Sequence, residues 1–370
     1  MALEGKTAEV FWSDMRTEKG NNLIDKVERL WRRAGFDEII AQGDLVAVKL
    51  HFGEKGNLAY IHPAFVRRIV ELIRRQGGKP FLTDTNTLYV GSRSNAVDHL
   101  QTAVENGFAY AVVGAPVIIA DGLRGKDYLS VPVNLKRFKE VKIGSAIYHA
   151  DALVVLSHFK GHELTSFGGA LKNLGMGCGS PSGKQMMHSD VLPRVRGEKC
   201  TACGRCRLWC PAGAITVEEH AVIDEAKCIG CGECTVTCPY RAIKPNFKSA
   251  PEVLQEKIVE YAYGALQNKE GKVAFFNFVT NVAPECDCNS WNDAALVGDV
   301  GILASYDAVA LDQASLDLVN AQPPLPGTRL DGKGDAADKF TAVSGYDGTH
   351  QLAYGEEIGL GTRKYTLIKV

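Results

Sequence analysis

Missing from the 370 residues is any uninterrupted apolar stretch near the ~18 residues needed to cross a bilayer, so no membrane span is expected. Net charge is nearly absent too: 42 lysines and arginines against 43 aspartates and glutamates leave −1 at pH 7. That balance offers no electrostatic footprint for nucleic acid or an anionic membrane. Met1 to Trp12 carries no basic segment followed by an apolar run, so no signal peptide is expected and a cytoplasmic location is predicted. Hydrophobic residues at 45% and charged residues at 23% are ordinary globular values, so most of the chain should bury a sizeable core.

Cysteine is plentiful and patterned. Cys200-x2-Cys203-x2-Cys206-x3-Cys210-Pro211 is followed by Cys228-x2-Cys231-x2-Cys234-x3-Cys238-Pro239. This is the bacterial ferredoxin run written twice. Lys199 and Lys227, Gly204 and Gly232, and the Pro-x-x-Ala-Ile segments from Pro211 and Pro239 match at the same offset, which marks an internal duplication. Structural zinc prefers two separated Cys pairs, and disulfide frameworks belong to small secreted domains, so neither accounts for two four-Cys runs each closed by proline. Two [4Fe-4S] clusters are predicted, with the fourth cysteine of each run serving its neighbour. The first would take Cys200, Cys203, Cys206 and Cys238, the second Cys228, Cys231, Cys234 and Cys210. Cys178, Cys286 and Cys288 are left over.

Two clusters need only about 50 to 60 residues, so over 300 must serve another purpose. Strands are expected at Ala8 to Trp12, Asp44 to Phe52, Lys79 to Thr83, Val112 to Ala120, Tyr128 to Val133, Ala152 to Ser157, Gly271 to Phe278 and Tyr365 to Val370. Helices are expected at Asn22 to Ala34, His62 to Gln76, Ser94 to Asn106, Ala250 to Leu266, Tyr306 to Asn320 and Thr349 to Glu357. Ala321 to Asp338, rich in proline and glycine, reads as a loop. The alternation predicts an α/β fold with a doubly wound, largely parallel sheet, interrupted by an α+β dicluster module. Residues 1–196 and 248–370 would form the α/β domain, and 197–247 the module.

In such sheets, ligands gather beyond the carboxyl ends of the strands. Candidate catalytic residues there are His51, in a glycine-bracketed loop, and His158, Lys160, His162, Lys172 and His188 after the strand at Ala152. Gly168 and Gly169 at a helix start could receive a phosphate or carboxylate, with Asn173 beside them. Asp84 to Thr87 and Arg93 could orient a polar ligand or merely form an Asx turn and helix cap. In Glu285-Cys286-Asp287-Cys288, the two thiols would share one face of an extended chain. Such a pair suits an additional soft metal ion, held with Cys178 or a histidine. Buried or redox-active thiols without a metal are the alternative.

Lys49 to Asn57 (KLHFGEKGN), Thr83 to Tyr89 (TDTNTLY), Ser157 to Cys178, the dicluster run, Glu285 to Cys288 and Asp299 to Val319 together resemble an iron-sulfur family of anaerobic bacteria and archaea. It is catalogued as domain of unknown function 362. The resemblance implies an α/β domain with an inserted ferredoxin, and no settled reaction. The order His158, Gly161, Gly168-Gly169 and Lys172 is also similar to the His-Gly-Gly-Lys loop of nickel-pincer lactate racemases, at different spacing.

Three functions fit these residues. The first is an oxidoreductase, or a component of one, whose clusters exchange electrons with a pocket binding an anionic small molecule, supplied by a redox protein partner. The second is a non-catalytic ferredoxin-like carrier that docks with a larger redox complex. The third is a protein that handles metal ions or clusters.

Overall fold

The computed structural model describes residues 7–370 except 90, 189–192, 229, 245–249 and 334–335, and the side chain of 236. Ile229 and the expected module end at 247 lie outside the described residues. Eight strands form one sheet: β1 (Ala8–Ser13), β2 (Leu45–Lys49), β3 (Lys79–Asp84), β4 (Val117–Ile119), β5 (Ala152–His158), β6 (Val273–Val279), β7 (Gly301–Ser305) and β8 (Tyr365–Lys369). Their order is β8-β1-β7-β6-β5-β2-β3-β4. Only β7 runs against its neighbours.

The apolar runs explain this arrangement. All seven residues of β5 and all seven of β6 are buried, as strands covered on both faces must be. Leu153 and Val155 face one core with Phe275, Leu171, Leu174, Ile258 and Val309. Val154 and Leu156 face a second core with Phe276, Leu30, Trp31 and Ile69. Helices Ala170–Cys178, Pro251–Leu266 and Ala308–Asn320 cover the first face, and Leu23–Arg33 and Pro63–Arg75 the second, so the sheet is doubly wound.

Local chemistry sets the helix ends. Asn22 accepts from the amides of Ile24 and Asp25, and the Asp25 carboxylate accepts from the Asn22 amide, a reciprocal cap. Pro63 opens the second helix, where its missing N–H costs nothing.

Two expected strands need correction. Within Val112 to Ala120, only Val117–Ile119 is strand, because Tyr110–Val113 closes a short helix at Gly114, whose φ is 77°. Tyr128–Pro132 is a strand but pairs antiparallel with Glu140–Gly144, away from the main sheet.

Between Arg194 and Lys244, the chain builds a small unit. Arg194–Val195 pairs with Ile243–Lys244, and Ile215–Val217 with Ala221–Ile223. Short helices Arg205–Leu208 and Glu233–Thr237 each follow a left-handed glycine, Gly204 (φ 71°) and Gly232 (φ 74°). The sequence duplication is thus a duplication of backbone conformation, which only glycine adopts without strain.

Candidate functional site

The sheet order places β5 beside β2, although β3 and β4 come first on the opposite side of β2. That reversal is a switch point, where loops leave the carboxyl ends of adjacent strands in different directions and open a crevice. A cavity of about 350 Å³ lies there, walled by Lys49 at the end of β2 and His51 after it, Asp84 at the end of β3 and Tyr89 after it, and Lys160 and His162 after β5. Lys172, Lys184, His188 and Cys288 also line it.

Five cations face this cavity: Lys49, Arg93, Lys160, Lys172 and Lys184. Lys49 Nζ lies 3.0 Å from Asp84 and 2.6 Å from the Asn173 amide oxygen. Arg93 meets Glu54 at 3.2 Å and Asp84 at 3.5 Å. Lys160 donates to the His158 carbonyl at 2.8 Å, with Asp287 at 3.6 Å. Lys184 donates to the Thr85 hydroxyl and the Asn86 carbonyl, both at 2.6 Å, and burial pushes its pKa down to about 8. Lys172 donates to Cys286 Sγ at 2.9 Å. Burial alone would lower its pKa, but the two thiols Cys286 and Cys288 hold it above the usual value.

The histidines here are kept neutral. Desolvation, reinforced by the surrounding cations, pushes His51 and His162 well below their ordinary range and His188 down to about 4. His99, in contact with Phe52 behind the cavity, falls to about 3, because burial and the Arg93, Lys184 and Lys49 charges outweigh Asp84. A depressed histidine contributes stability that is present above the unfolded value near 6.5 and is lost as pH falls below it. The urea midpoint should therefore drop between pH 7 and pH 5, and His99→Leu should flatten the drop. A midpoint flat in the wild type would mean that these rings are solvated.

Several expected residues play other parts. His158 does not line the cavity. Its Nδ1 meets Asp287 at 2.7 Å, and its Nε2 meets the Thr280 and Asn281 carbonyls at 2.9 and 3.2 Å, so it braces the 280–288 loop. At Gly168 and Gly169 the helix start expected to receive an anion is met by a carboxylate of the chain itself. The Asp312 carboxylate already accepts from the Ala170 and Leu171 amides at 2.7 and 2.9 Å, filling that helix N-terminus from within the protein. A Cβ at residue 169 would stand 2.2 Å from Asp312 Oδ1, which is why glycine is required.

Cys178 is buried in the core at a helix end. Among the described residues, the group with ligand atoms within 4.8 Å of one another is His162, Cys286 and Cys288, without Cys178. Lys49, Lys184 and Tyr89 are cavity residues that sequence reasoning did not select. Lys49 had a signal, as a cation closing an otherwise apolar strand; Lys184 had none.

The eight cysteines of the duplicated runs divide in space as well as in sequence. Cys200, Cys203, Cys206 and Cys238 line one small cavity, and Cys210, Cys228, Cys231 and Cys234 another. All eight are free thiols. The Ala214 amide donates to Cys210 Sγ at 3.2 Å, and its counterpart at Ala242 donates to Cys238 Sγ at 3.3 Å. Four cysteines at each of two small cavities, with backbone amides donating to sulfurs in both, form a donor set that fits a soft iron-sulfur group better than an oxygen-seeking ion.

Helix Pro181–His188 joins the two regions. Lys184 and His188 line the switch-point cavity, while Ser182 and Gln185 pack against Gly232, where a Cβ would sit 2.5 Å from Gln185 Cβ. Lys142 bonds Glu233 at 2.9 Å and the Cys231 carbonyl at 3.3 Å, and Tyr128 bonds Glu233 at 2.6 Å. A second cleft, of about 530 Å³, has Thr87, Leu88 and Tyr89 on one wall and Cys238 on the other.

A doubly wound α/β protein with a cation-lined crevice at its switch point is the class these features define. The chain belongs to the family described as Domain of unknown function (DUF362), which matches residues 46–317. No curated protein matches the sequence. Among solved structures, the chain is similar to the lactate racemase apoprotein from Thermoanaerobacterium thermosaccharolyticum, with 12% identity and a TM-score of 0.39 over 76% of this chain and 52% of that one. It is also similar to a protein from Thermotoga maritima, with 10% identity and a TM-score of 0.36 over 71% and 52%. The chain thus spans about half the length of each. Among the described residues, no helix is long and apolar enough to cross a membrane.

Proposed function

We propose that this protein is an iron-sulfur redox protein that exchanges electrons with an anionic small molecule bound in the switch-point cavity. The observation that carries this reading is the partition of eight cysteines into two pockets, each completed by the last cysteine of the other run. Cys200, Cys203, Cys206 and Cys238 would hold one [4Fe-4S] cluster, and Cys210, Cys228, Cys231 and Cys234 the other. Such groups supply single-electron transfer.

The remaining chemistry belongs to the α/β domain. Lys172 and Lys184 have no carboxylate within salt-bridge distance among the described residues, unlike Lys49, Arg93 and Lys160. An anionic ligand would supply the countercharge that Lys184 lacks in a low-dielectric site, beside the Lys172 ammonium that is bonded to Cys286. The neutral His51 ring, whose Nδ1 accepts from the Gly53 amide at 3.0 Å, would present its Nε2–H beside it. The helix shared by cavity and cysteine unit, and the 87–89 segment between the two clefts, make the α/β domain more than a docking platform, which favours this reading over a plain carrier.

Protein prepared without oxygen should be brown and contain about eight iron and eight sulfide per chain. A colourless protein with zinc on these thiols would overturn the reading. Lys172→Ala should weaken calorimetric binding of a small dicarboxylate or phosphate by about tenfold, the value of one close ion pair in a partly buried site. Unchanged affinity would remove the anion site.

A further inference from the structure

Cys286 and Cys288 belong to neither cysteine pocket; Cys288 lines the cation-lined cavity and Cys286 lies buried two residues before it. Their sulfurs lie within 4.8 Å of each other. The segment carrying them is held from both ends of the Cys-Asp-Cys step. His158 clamps the Asp287 carboxylate at 2.7 Å, Glu54 N–H donates to the Asp287 carbonyl at 3.0 Å, and Asn289 N–H donates to the Cys286 carbonyl at 3.0 Å. The two sulfurs are not equivalent. Cys288 lines the cavity, whereas Cys286 is 1% exposed and faces inward. Cys286 Sγ receives the Lys172 ammonium at 2.9 Å and the Cys288 amide at 3.4 Å, donors that stabilise a thiolate.

A metal ion on His162, Cys286 and Cys288 is the competing use of the same atoms. The hydrogen bonds weigh against it. His162 Nδ1 accepts from the Leu164 and Thr165 amides at 3.2 and 3.1 Å, so the neutral ring carries its proton on Nε2 and has no lone pair left for an ion. Lys172 already occupies the cationic position at Cys286.

We propose that Cys288 and Cys286 are a redox-active dithiol that reduces a small anionic disulfide held in the cavity, with Cys288 attacking and Cys286 resolving. This rests on the cavity being an anion site. In the first step, the Cys288 thiol passes its proton to the adjacent Cys286 thiolate and attacks one sulfur of R–S–S–R. A Cys288–S–S–R bond forms, the R–S–S–R bond breaks, and RS⁻ leaves and takes the proton from Cys286. In the second step, the restored Cys286 thiolate attacks Cys288 Sγ. The Cys286–Cys288 disulfide forms and the second RS⁻ departs. Two electrons pass from the pair to the substrate, which leaves as one thiol and one thiolate. Lys172, freed from the thiolate as it is consumed, remains beside the departing anion.

The test uses the full chain prepared without oxygen, with dithiodiglycolate as the anionic probe and bis(hydroxyethyl) disulfide as the neutral one. Alkylation and peptide mass mapping follow residues 286 and 288 separately from the other cysteines, and iron is measured on the same samples. Wild type should lose two hydrogens in the 286–288 peptide, about tenfold faster with the dianion. Cys286→Ser should trap a mixed disulfide on Cys288, while Cys288→Ser should give no adduct, with iron unchanged in both. The proposal is overturned if the peptide alkylates fully after exposure to the disulfide, if Cys288→Ser carries the adduct, or if both thiols are blocked by a stoichiometric metal ion. An absent preference for the dianion, with the exchange intact, would reject the anion site instead. Iron absent from the untreated wild type would reject the cluster reading and leave the dithiol standing.

Discussion

Cys238→Ser should remove the iron associated with Cys200, Cys203 and Cys206, and leave the site of its own run intact. Iron should fall from about eight to about four per chain, with about half of the visible absorbance. The spacing of the two runs assigns Cys238 to the first set, and Cys238 lines one small cavity with Cys200, Cys203 and Cys206. Cys210→Ser should show the mirror result, because Cys210 lies with the second run. The double variant Cys203→Ser/Cys231→Ser should be nearly colourless, and Cys178→Ser, buried in the α/β core, should keep its iron. Magnetic spectra of the reduced protein, in which two clusters interact and one does not, separate these cases. Full iron in the double variant would contradict the ligand sets.

Asp84→Ala should be the most damaging substitution outside the cysteine unit. Its carboxylate is 4% exposed and meets Lys49 at 3.0 Å, Arg93 at 3.5 Å and His99 at 3.9 Å. Burial by itself would raise its pKa, but Lys49, His99 and Arg93 keep it ionised and lower than usual. Removing it leaves Lys49 buried with only the neutral Asn173 side chain as an acceptor. Breaking a buried pair from one side costs about 3–5 kcal/mol, far more than the pair itself contributes. Asp84→Asn keeps an acceptor for Lys49 and should lose less. Urea unfolding followed by far-ultraviolet dichroism reads the difference, and a loss under about 1 kcal/mol would show that water reaches the network.

Much of the scaffold is legible from residue type alone. The runs at Ala152 and Val273 are apolar without alternation, which fits strands buried on both faces, and both became central strands. Helix Thr349–Glu357 has the expected bounds. The misses have physical causes. Gly301–Ser305 is short, begins with glycine and ends with a serine whose hydroxyl is bonded to the Glu9 carbonyl; neighbours on both sides make it a strand. Pro181–His188 holds proline, serine and glycine, poor helix formers, and is stabilised by packing against Tyr261 and the cysteine unit. Gly175 sits inside a helix because a Cβ there would meet the Ile258 carbonyl at 2.0 Å; the close approach of two helices requires it.

The site was half visible. His51, Lys160, His162, Lys172, Asn173 and His188 do converge on one cavity, while His158, Gly168 and Gly169 turn inward to Asp287 and Asp312. The inward turn could not be read from a loop rich in histidine and glycine, because the partners lie over a hundred residues away.

Spacing and apolar patterning are local properties, so the chain by itself determined the duplicated thiol runs, most helices and the buried strands. Which loops meet was decided only in three dimensions. It depends on β5 entering the sheet beside β2 and on β6 following it, a matter of strand order rather than of any single segment. The same long-range pairing seats Lys172 against Cys286 and Asp312 against the helix start at Ala170. Burial then makes each of those contacts obligatory, since charges and amides removed from water must find partners within the fold.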